Sequence, residues 1–407
     1  MDQTSTTLPL STVTASGRLP RIVIDLEKLR HINCGLGRFS LYLGRELLGI
    51  AADRVDPVFF LPRGGEQHFT DVDADGVHHG TVRVRPWRKE GLQRWLRPLG
   101  RHLPGIARPD LWHVTNQMSR YLPLDDRVPV VLTIHDLNFL HNETDTNDPG
   151  RIQRKLADIQ RRVDRAAAIV TDSQYVADDL AAQVELAGTP VHVVPLGLTP
   201  PPAAAERRPP WLTAGPFALS VGNFLPHKNF HVLLGLAERL ADLRLVIAGK
   251  KATPYGEQLE QELQRRGLSD RVILPGMVSD ADRQWLYEHC EVFLFPSLAE
   301  GFGFPVLEAM QCGKPVVMSR RTSLPEIAGD EGFFFDSYQP EAMASVVETA
   351  RTHFATDPQA ADRCRRHAAT FSWRATAEGY ARVYDSQLAA VGGNESTSTH
   401  RIRVQAG

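Results

Sequence analysis

FPSLAEGFGFPVLEAMQCGKPVVMSRRTSLPEIAGDEGFFFD, residues 295–336, is the stretch that decides the architecture. An apolar run ends at Pro296 and Ser297, and a glycine-bearing turn, E-G-F-G, follows. Pro305 stands where a helix begins, a position that proline tolerates because the first-turn N–H groups have no intrahelical partner. Phe304 to Cys312 reads as that helix, stopped at Gly313 and followed by the strand PVVMS. Such a turn presents free backbone N–H groups and the positive end of a helix dipole, which together make an anion site. Glu300 lies in the loop before the helix and Glu308 is expected in its first turn, so both carboxylates can face that site and bind vicinal hydroxyls.

The same alternation of strand and helix recurs on either side. RIVIDL at 21–26, PVFFL at 57–61, VPVVLTIHD at 128–136 and AAIVTDS at 167–173 read as strands of a first parallel sheet. After the proline-rich TPPPAAAERRPP at 199–210, the runs FALSVGN, LRLVIAGK, RVILPG, VFLFPS and PVVMS read as a second sheet. The expected organisation is an N-terminal Rossmann-like domain over 21–200, a linker over 201–210 and a C-terminal Rossmann-like domain over 211–372. A helix over 373–390 is expected to cross back to the first domain. The Ser/Thr/Gly-rich ends, 1–20 and 391–407, read as disordered. Two doubly wound α/β halves imply a cleft between them, with function at the carboxyl ends of the strands.

Composition narrows the function. Lys plus Arg number 46 against 48 Asp plus Glu among 407 residues, so no global field favours nucleic acid. The four cysteines form no C-x-x-C pair, which fits reduced thiols. The N-terminus has neither a basic n-region nor a sustained apolar core, and no run of apolar residues is long enough to span a bilayer; a cytoplasmic location is expected.

Three further segments supply candidate site residues. FALSVGNFLPHKNFHVLLGL at 217–236 is a strand, a turn and a helix, and Lys228 just before that helix can set an ammonium against a leaving diphosphate. HINCGLGRFSLYLGREL at 31–47 places Gly35 and Gly37 between a strand and a helix, where glycine allows close backbone approach. A dinucleotide-binding G-x-G-x-x-G fails there, because Ser40 stands where the third glycine belongs. His135, in VLTIHDLNF, ends a buried strand from which a side chain projects into the cleft, and Asp136 beside it reads as an orienter.

E-G-F-G-F-P-V-L-E-A-M, with its glutamates eight apart, resembles the E-x7-E element of family 4 retaining glycosyltransferases, and G-K-P-V-V and S-L-P-E-I-A-G-D match as well. The likeness runs from about residue 21 to 388 and is strongest over 217–336, with a mannosyltransferase-like flavour of bacterial surface polysaccharide synthesis. It implies a GT-B fold and transfer of a hexose, GDP-mannose-type donor favoured, from a nucleotide-diphosphate sugar to a glycan or lipid-linked saccharide. On matching positions it implies that Glu308 binds the donor ribose, Glu300 the hydroxyls of the transferred sugar, and the Gly301–Phe302–Gly303 backbone the diphosphate. Lys228 resembles the family's G-x5-K phosphate lysine, and His135 the histidine that meets the donor sugar. Many relatives carry arginine where Asn223 stands; His227 or Arg38 could supply that second cation. The resemblance implies no cofactor and no metal, cations and a helix N-terminus taking the place of Mg²⁺. A nucleotide-sugar 2-epimerase of the same fold would not be expected to carry the E-G-F-G element, and a non-catalytic scaffold would be expected to have lost Lys228 or a glutamate.

RPWRKEGLQRWLRPLGRHLPG at 85–105 is basic and amphipathic, with six Lys and Arg against Glu90, and suits an anionic membrane surface. Peripheral attachment to the cytoplasmic face is the corresponding expectation.

Overall fold

The computed structural model describes residues 18–32, 34–51, 54–70, 80–83, 109–123, 125–141 and 148–399. Apolar runs buried on both faces assemble two sheets, every pairing parallel. The first contains β1 Arg21–Asp25, β2 Asp56–Leu61, β3 Gly80–Arg83, β4 Leu111–Val114, β5 Val130–Ile134, β6 Ala168–Thr171 and β7 Val191–Val193, in the order β3-β2-β1-β4-β5-β6-β7. The second contains β8 Phe217–Val221, β9 Arg244–Ala248, β10 Val272–Gly276, β11 Val292–Phe295, β12 Val316–Ser319 and β13 Gly332–Phe335, in the order β10-β9-β8-β11-β12-β13. β3, β4, β7 and β13 were not expected: each is only three or four residues long, and neighbouring strands rather than local pattern hold them in place.

Helices cover the sheets: α1 Gly35–Ala51, α2 Pro149–Val163, α3 Gln174–Gln183, α4 Val232–Arg239, α5 Pro254–Arg265 and α6 Asp280–His289. They continue as α7 Phe304–Gln311, α8 Leu324–Ala328, α9 Pro340–Thr356, α10 Ala360–Ala369 and α11 Trp373–Thr399. Strand order reverses between β1 and β4 in one sheet and between β8 and β11 in the other. Each reversal leaves a crevice at the strand ends, where ligands of open parallel sheets bind.

α11 ties the second domain to the first. Its Tyr380 hydroxyl pairs with Thr133 at 2.9 Å, and Tyr384 with His113 Nδ1 at 2.7 Å, all four residues buried. Thr376 donates to the Pro195 carbonyl, and Tyr42 of α1 stacks on Trp373 at 5.4 Å. One apolar cluster is therefore continuous from Phe39 and Leu47 through Ala377 and Val383 to Val306 and Met310. Burial holds His113 neutral, its pKa pushed down to about 3.

Two expected ends shift. α11 runs to Thr399, past residue 390 where the tail was placed, because extending an existing helix needs no new nucleus. Arg18 to Pro20, inside the expected disordered 1–20, belong to the described residues, and the Arg18 guanidinium meets Asp110 at 2.7 Å. Residues 1–17, the basic segment 85–105 and 400–407 lie outside the described residues.

At the end of β1, the fully buried Asp25 accepts hydrogen bonds from Glu27 N at 3.0 Å and from the Ser119 hydroxyl. Burial still pushes its pKa from 3.8 up to about 7. The folded protein thus holds a proton that the unfolded chain releases at lower pH. That contribution to stability is complete below 3.8 and is lost as pH rises through 7. Asp25→Asn keeps the bond from Glu27 N and sets an uncharged amide against Ser119, so its stability should exceed wild type above pH 7 by on the order of 1.4 kcal/mol for each pH unit between 3.8 and 7. Urea unfolding across pH measures the gap; one that does not change with pH refutes the burial account.

Candidate active site

The reversal in the second sheet brings the loop after β8 against the loop after β11. Leu298 N and the Ser297 hydroxyl both donate to the His227 carbonyl, at 2.7 and 3.2 Å. The E-G-F-G turn is clamped from behind: Thr322 Oγ1 accepts from Glu300 N at 3.1 Å, and the Ser323 hydroxyl donates to the Glu300 and Phe302 carbonyls. Gly303 has φ +122°, which L side chains rarely adopt, and it turns the chain directly into α7. The helix therefore starts at Phe304, and Glu308 sits one full turn inside rather than in the first turn as expected. It cannot be explained as a first-turn dipole partner.

A cavity of about 600 Å³ lies between the domains. Among the expected site residues, Gly35, His135, Asn223, His227, Lys228, Glu300, Gly301, Phe302 and Gly303 line it. Gly37, Arg38 and Glu308 do not. A Cβ at Gly37 would lie 2.2 Å from the His31 carbonyl oxygen, so that glycine is required by the helix entry itself.

Three charge pairs organise the cleft. Lys228 Nζ meets Glu300 Oε1 at 2.5 Å and lies 5.2 Å from the centre of the Phe295 ring. Glu308 accepts from the Tyr287 hydroxyl at 2.8 Å, and its other oxygen is 3.5 Å from Arg38 Nη1 across the domain interface. His135 Nδ1 meets Asp172 at 2.6 Å, and Nε2 faces the Thr115 carbonyl at 2.9 Å. Two acceptors on one ring favour the doubly protonated form. Burial opposes it, but the Asp172 charge and hydrogen bond with the Thr115 carbonyl outweigh that and raise the His135 pKa. Asp172, not Asp136, is thus the orienter of His135. Asp172 was not anticipated from the sequence, although it directly follows β6 beside β5, at the strand-end position where site residues gather.

His227 is held neutral: burial, then the Lys228 charge, lower its pKa. That removes one of the two candidates for the second cation, and Arg38 is turned toward Glu308. Lys250, just beyond β9, and Arg283 of α6 also line the cavity, and neither was anticipated. Arg283 is paired with Asp280 at 3.0 Å, while Lys250 has no ion pair among the described residues.

The domains meet at the E-G-F-G turn. A Cβ at Gly301 would lie 2.2 Å from the His135 carbonyl oxygen and 2.9 Å from Asp136 Cβ. The Ser173 hydroxyl donates to the Gly301 carbonyl at 3.0 Å. Glu326 of α8 accepts from Gln174 N and Tyr175 N at 2.8 and 3.2 Å, placing a carboxylate on the positive end of α3.

A family model described as glycosyl transferases group 1 matches residues 205–368, and one described as glycosyltransferase family 4 matches residues 34–200. The chain belongs to these glycosyltransferases, and its two facing α/β domains are the GT-B fold. Over 304 residues it is 32% identical to the serotype-specific mannosyltransferase WbdA of Escherichia coli, covering 69% of this chain and 37% of that protein. The chain thus spans little more than a third of that relative. It is 27% identical over 376 residues to the O-antigen chain mannosyltransferase B of Escherichia coli, covering 87% of this chain and 96% of that one. Anabaena HepE, solved in complex with UDP and glucose, superposes with a TM-score of 0.65 at 18% identity, over 90% of this chain and 100% of that one; this likeness concerns the fold. Among the described residues, no helix is long and apolar enough to cross a membrane.

Gly301→Ala must push the turn off the end of β5. We expect a larger radius of gyration by small-angle scattering, little change in the unfolding midpoint, and loss of glycosyltransferase activity of about 100-fold, as misplacement by an ångström produces. An unchanged radius with full activity would show that the contact is dispensable.

Proposed function

We propose that this protein transfers a hexose, with retention of configuration, from a nucleoside-diphosphate sugar of the GDP-mannose type to a glycan or lipid-linked saccharide in surface polysaccharide or lipopolysaccharide synthesis. The observation that carries the reading is the Lys228–Glu300 pair at 2.5 Å, beside the turn that opens α7. The mannosyltransferase relatives support the sugar class.

In this reading the donor diphosphate lies at the amides of Phe302 and Gly303 and takes the Lys228 ammonium, which frees Glu300 for the hydroxyls of the transferred sugar. Glu308 takes the ribose diol. As the bond from C1 to the phosphate oxygen breaks, its electron pair stays on the phosphate, where Lys228 and the α7 N-terminus stabilise it. The acceptor oxygen bonds to C1 on the same face of the ring, and its proton passes to the departing phosphate oxygen. His135, its ring N–H groups engaged by Asp172 and the Thr115 carbonyl inside the first domain, gives the reacting centre a wall of fixed polarity without net charge. Cations and helix N–H groups do the work of a divalent ion, so the reaction is metal-independent.

Lys228→Ala and Glu308→Ala should each lower turnover of nucleotide sugars by at least ~100-fold, measured across a donor panel that includes GDP-mannose and UDP-glucose. Folded variants of full activity would remove the site assignment. EDTA should leave the wild-type rate unchanged in the same assay, and loss restored by Mg²⁺ would contradict the metal-free reaction.

The basic segment 85–105 places the enzyme on the cytoplasmic membrane face, each Lys or Arg near anionic lipid contributing about 1 kcal/mol. Sedimentation with anionic liposomes at low salt, release at high salt, and loss on replacing Arg94, Arg97 and Arg101 by Ser are the expected results. Equal binding by the triple variant refutes the placement.

A further inference from the structure

Asp136 is the cleft carboxylate that the proposed chemistry does not use. It follows β5, lines the cavity shared with Lys228 and Glu300, and lies against Gly301. It does not orient His135, because Asp172 occupies that role at 2.6 Å. Its position is set from two sides: the Gln117 amide donates to its carbonyl at 3.0 Å, and its own Oδ1 accepts from Asn138 N at 3.0 Å. Oδ2 has no hydrogen-bond partner among the described residues.

A carboxylate oxygen is repelled by a diphosphate and attracted to hydroxyl groups. The donor sugar's hydroxyls already have Glu300 from the second domain. Asp136 comes from the first domain, so the hydroxyls it meets belong to what enters from that side.

We propose that Asp136 is an acceptor-binding residue: its free Oδ2 accepts a hydrogen bond from a hydroxyl of the incoming sugar adjacent to the attacking one. This rests on the transferase reading above. The attacking hydroxyl keeps its single proton for the departing phosphate oxygen, so the neighbouring hydroxyl is the one that reaches Asp136. The acceptor therefore carries vicinal hydroxyls at its attachment site. When water attacks instead, one O–H serves the phosphate and the other Asp136, so donor hydrolysis reports the same contact without an identified acceptor.

Asp136→Asn retains Oδ1 and with it the turn to Asn138, and removes only the charged acceptor. The experiment compares wild type, Asp136→Asn, Asp136→Ala and Lys228→Ala for GDP and UDP affinity by calorimetry and for hydrolysis of GDP-mannose and UDP-glucose. Asp136→Asn should bind the nucleotides as wild type does and hydrolyse the sugar nucleotide at least ~10-fold more slowly, the effect of losing a hydrogen bond to a charged group. Normal hydrolysis by Asp136→Asn with a defect only in Asp136→Ala would reduce the residue to its turn and overturn the proposal. Nucleotide affinity lost in step with rate would place Asp136 on the donor and overturn it equally. A defect in Lys228→Ala with none in Asp136→Asn sinks this inference alone, whereas a wild type that neither binds nor hydrolyses these donors sinks the transferase reading with it.

Discussion

The arrangement of the cleft depends on one backbone contact, Gly301 laid against the carbonyl of His135. With no side chain in the way, the second domain's turn reaches the end of β5, and the Ser173 hydroxyl and the Glu326 carboxylate hold it there. Residues 135 and 136 then share a cavity with Lys228 and Glu300, although they belong to different sheets. Any Cβ at that point would separate the two walls.

Charges within this closed geometry are compensated in pairs. Lys228 with Glu300, Arg38 with Glu308 and His135 with Asp172 each keep a partly or wholly buried ion from standing alone, which would cost several kcal/mol. The first two pairs lie within reach of solvent and can exchange partners. His135–Asp172 is buried on both sides and is built into the first domain. Exchangeable ions suit ligand binding, and a fixed one suits a constant local field.

Stability of the relative orientation comes from α11. Thr133, His113, Tyr380 and Tyr384 form a buried hydrogen-bonded layer between strand ends of the first sheet and a helix from the far end of the chain. Because these polar groups have no water to replace a lost partner, separating the helix from the sheet is costly.

Local pattern was enough to read the two parallel sheets and the turn-and-helix unit at 300–311. Alternating apolar runs and glycine and proline punctuation are properties of neighbours in sequence, and a parallel sheet imposes them directly. The short strands β4 and β7 were not legible, because four and three residues carry too little pattern and their pairing is decided by strands far away in the chain. Tertiary structure alone decided that Asp172 rather than Asp136 pairs with His135, that His227 is neutral, that Lys250 and Arg283 join the cavity, and that Arg38 turns to Glu308. Those outcomes depend on distances of a few ångströms between residues up to 270 apart in the chain. Hydrogen bonding and burial act over such distances, and sequence spacing carries no record of them.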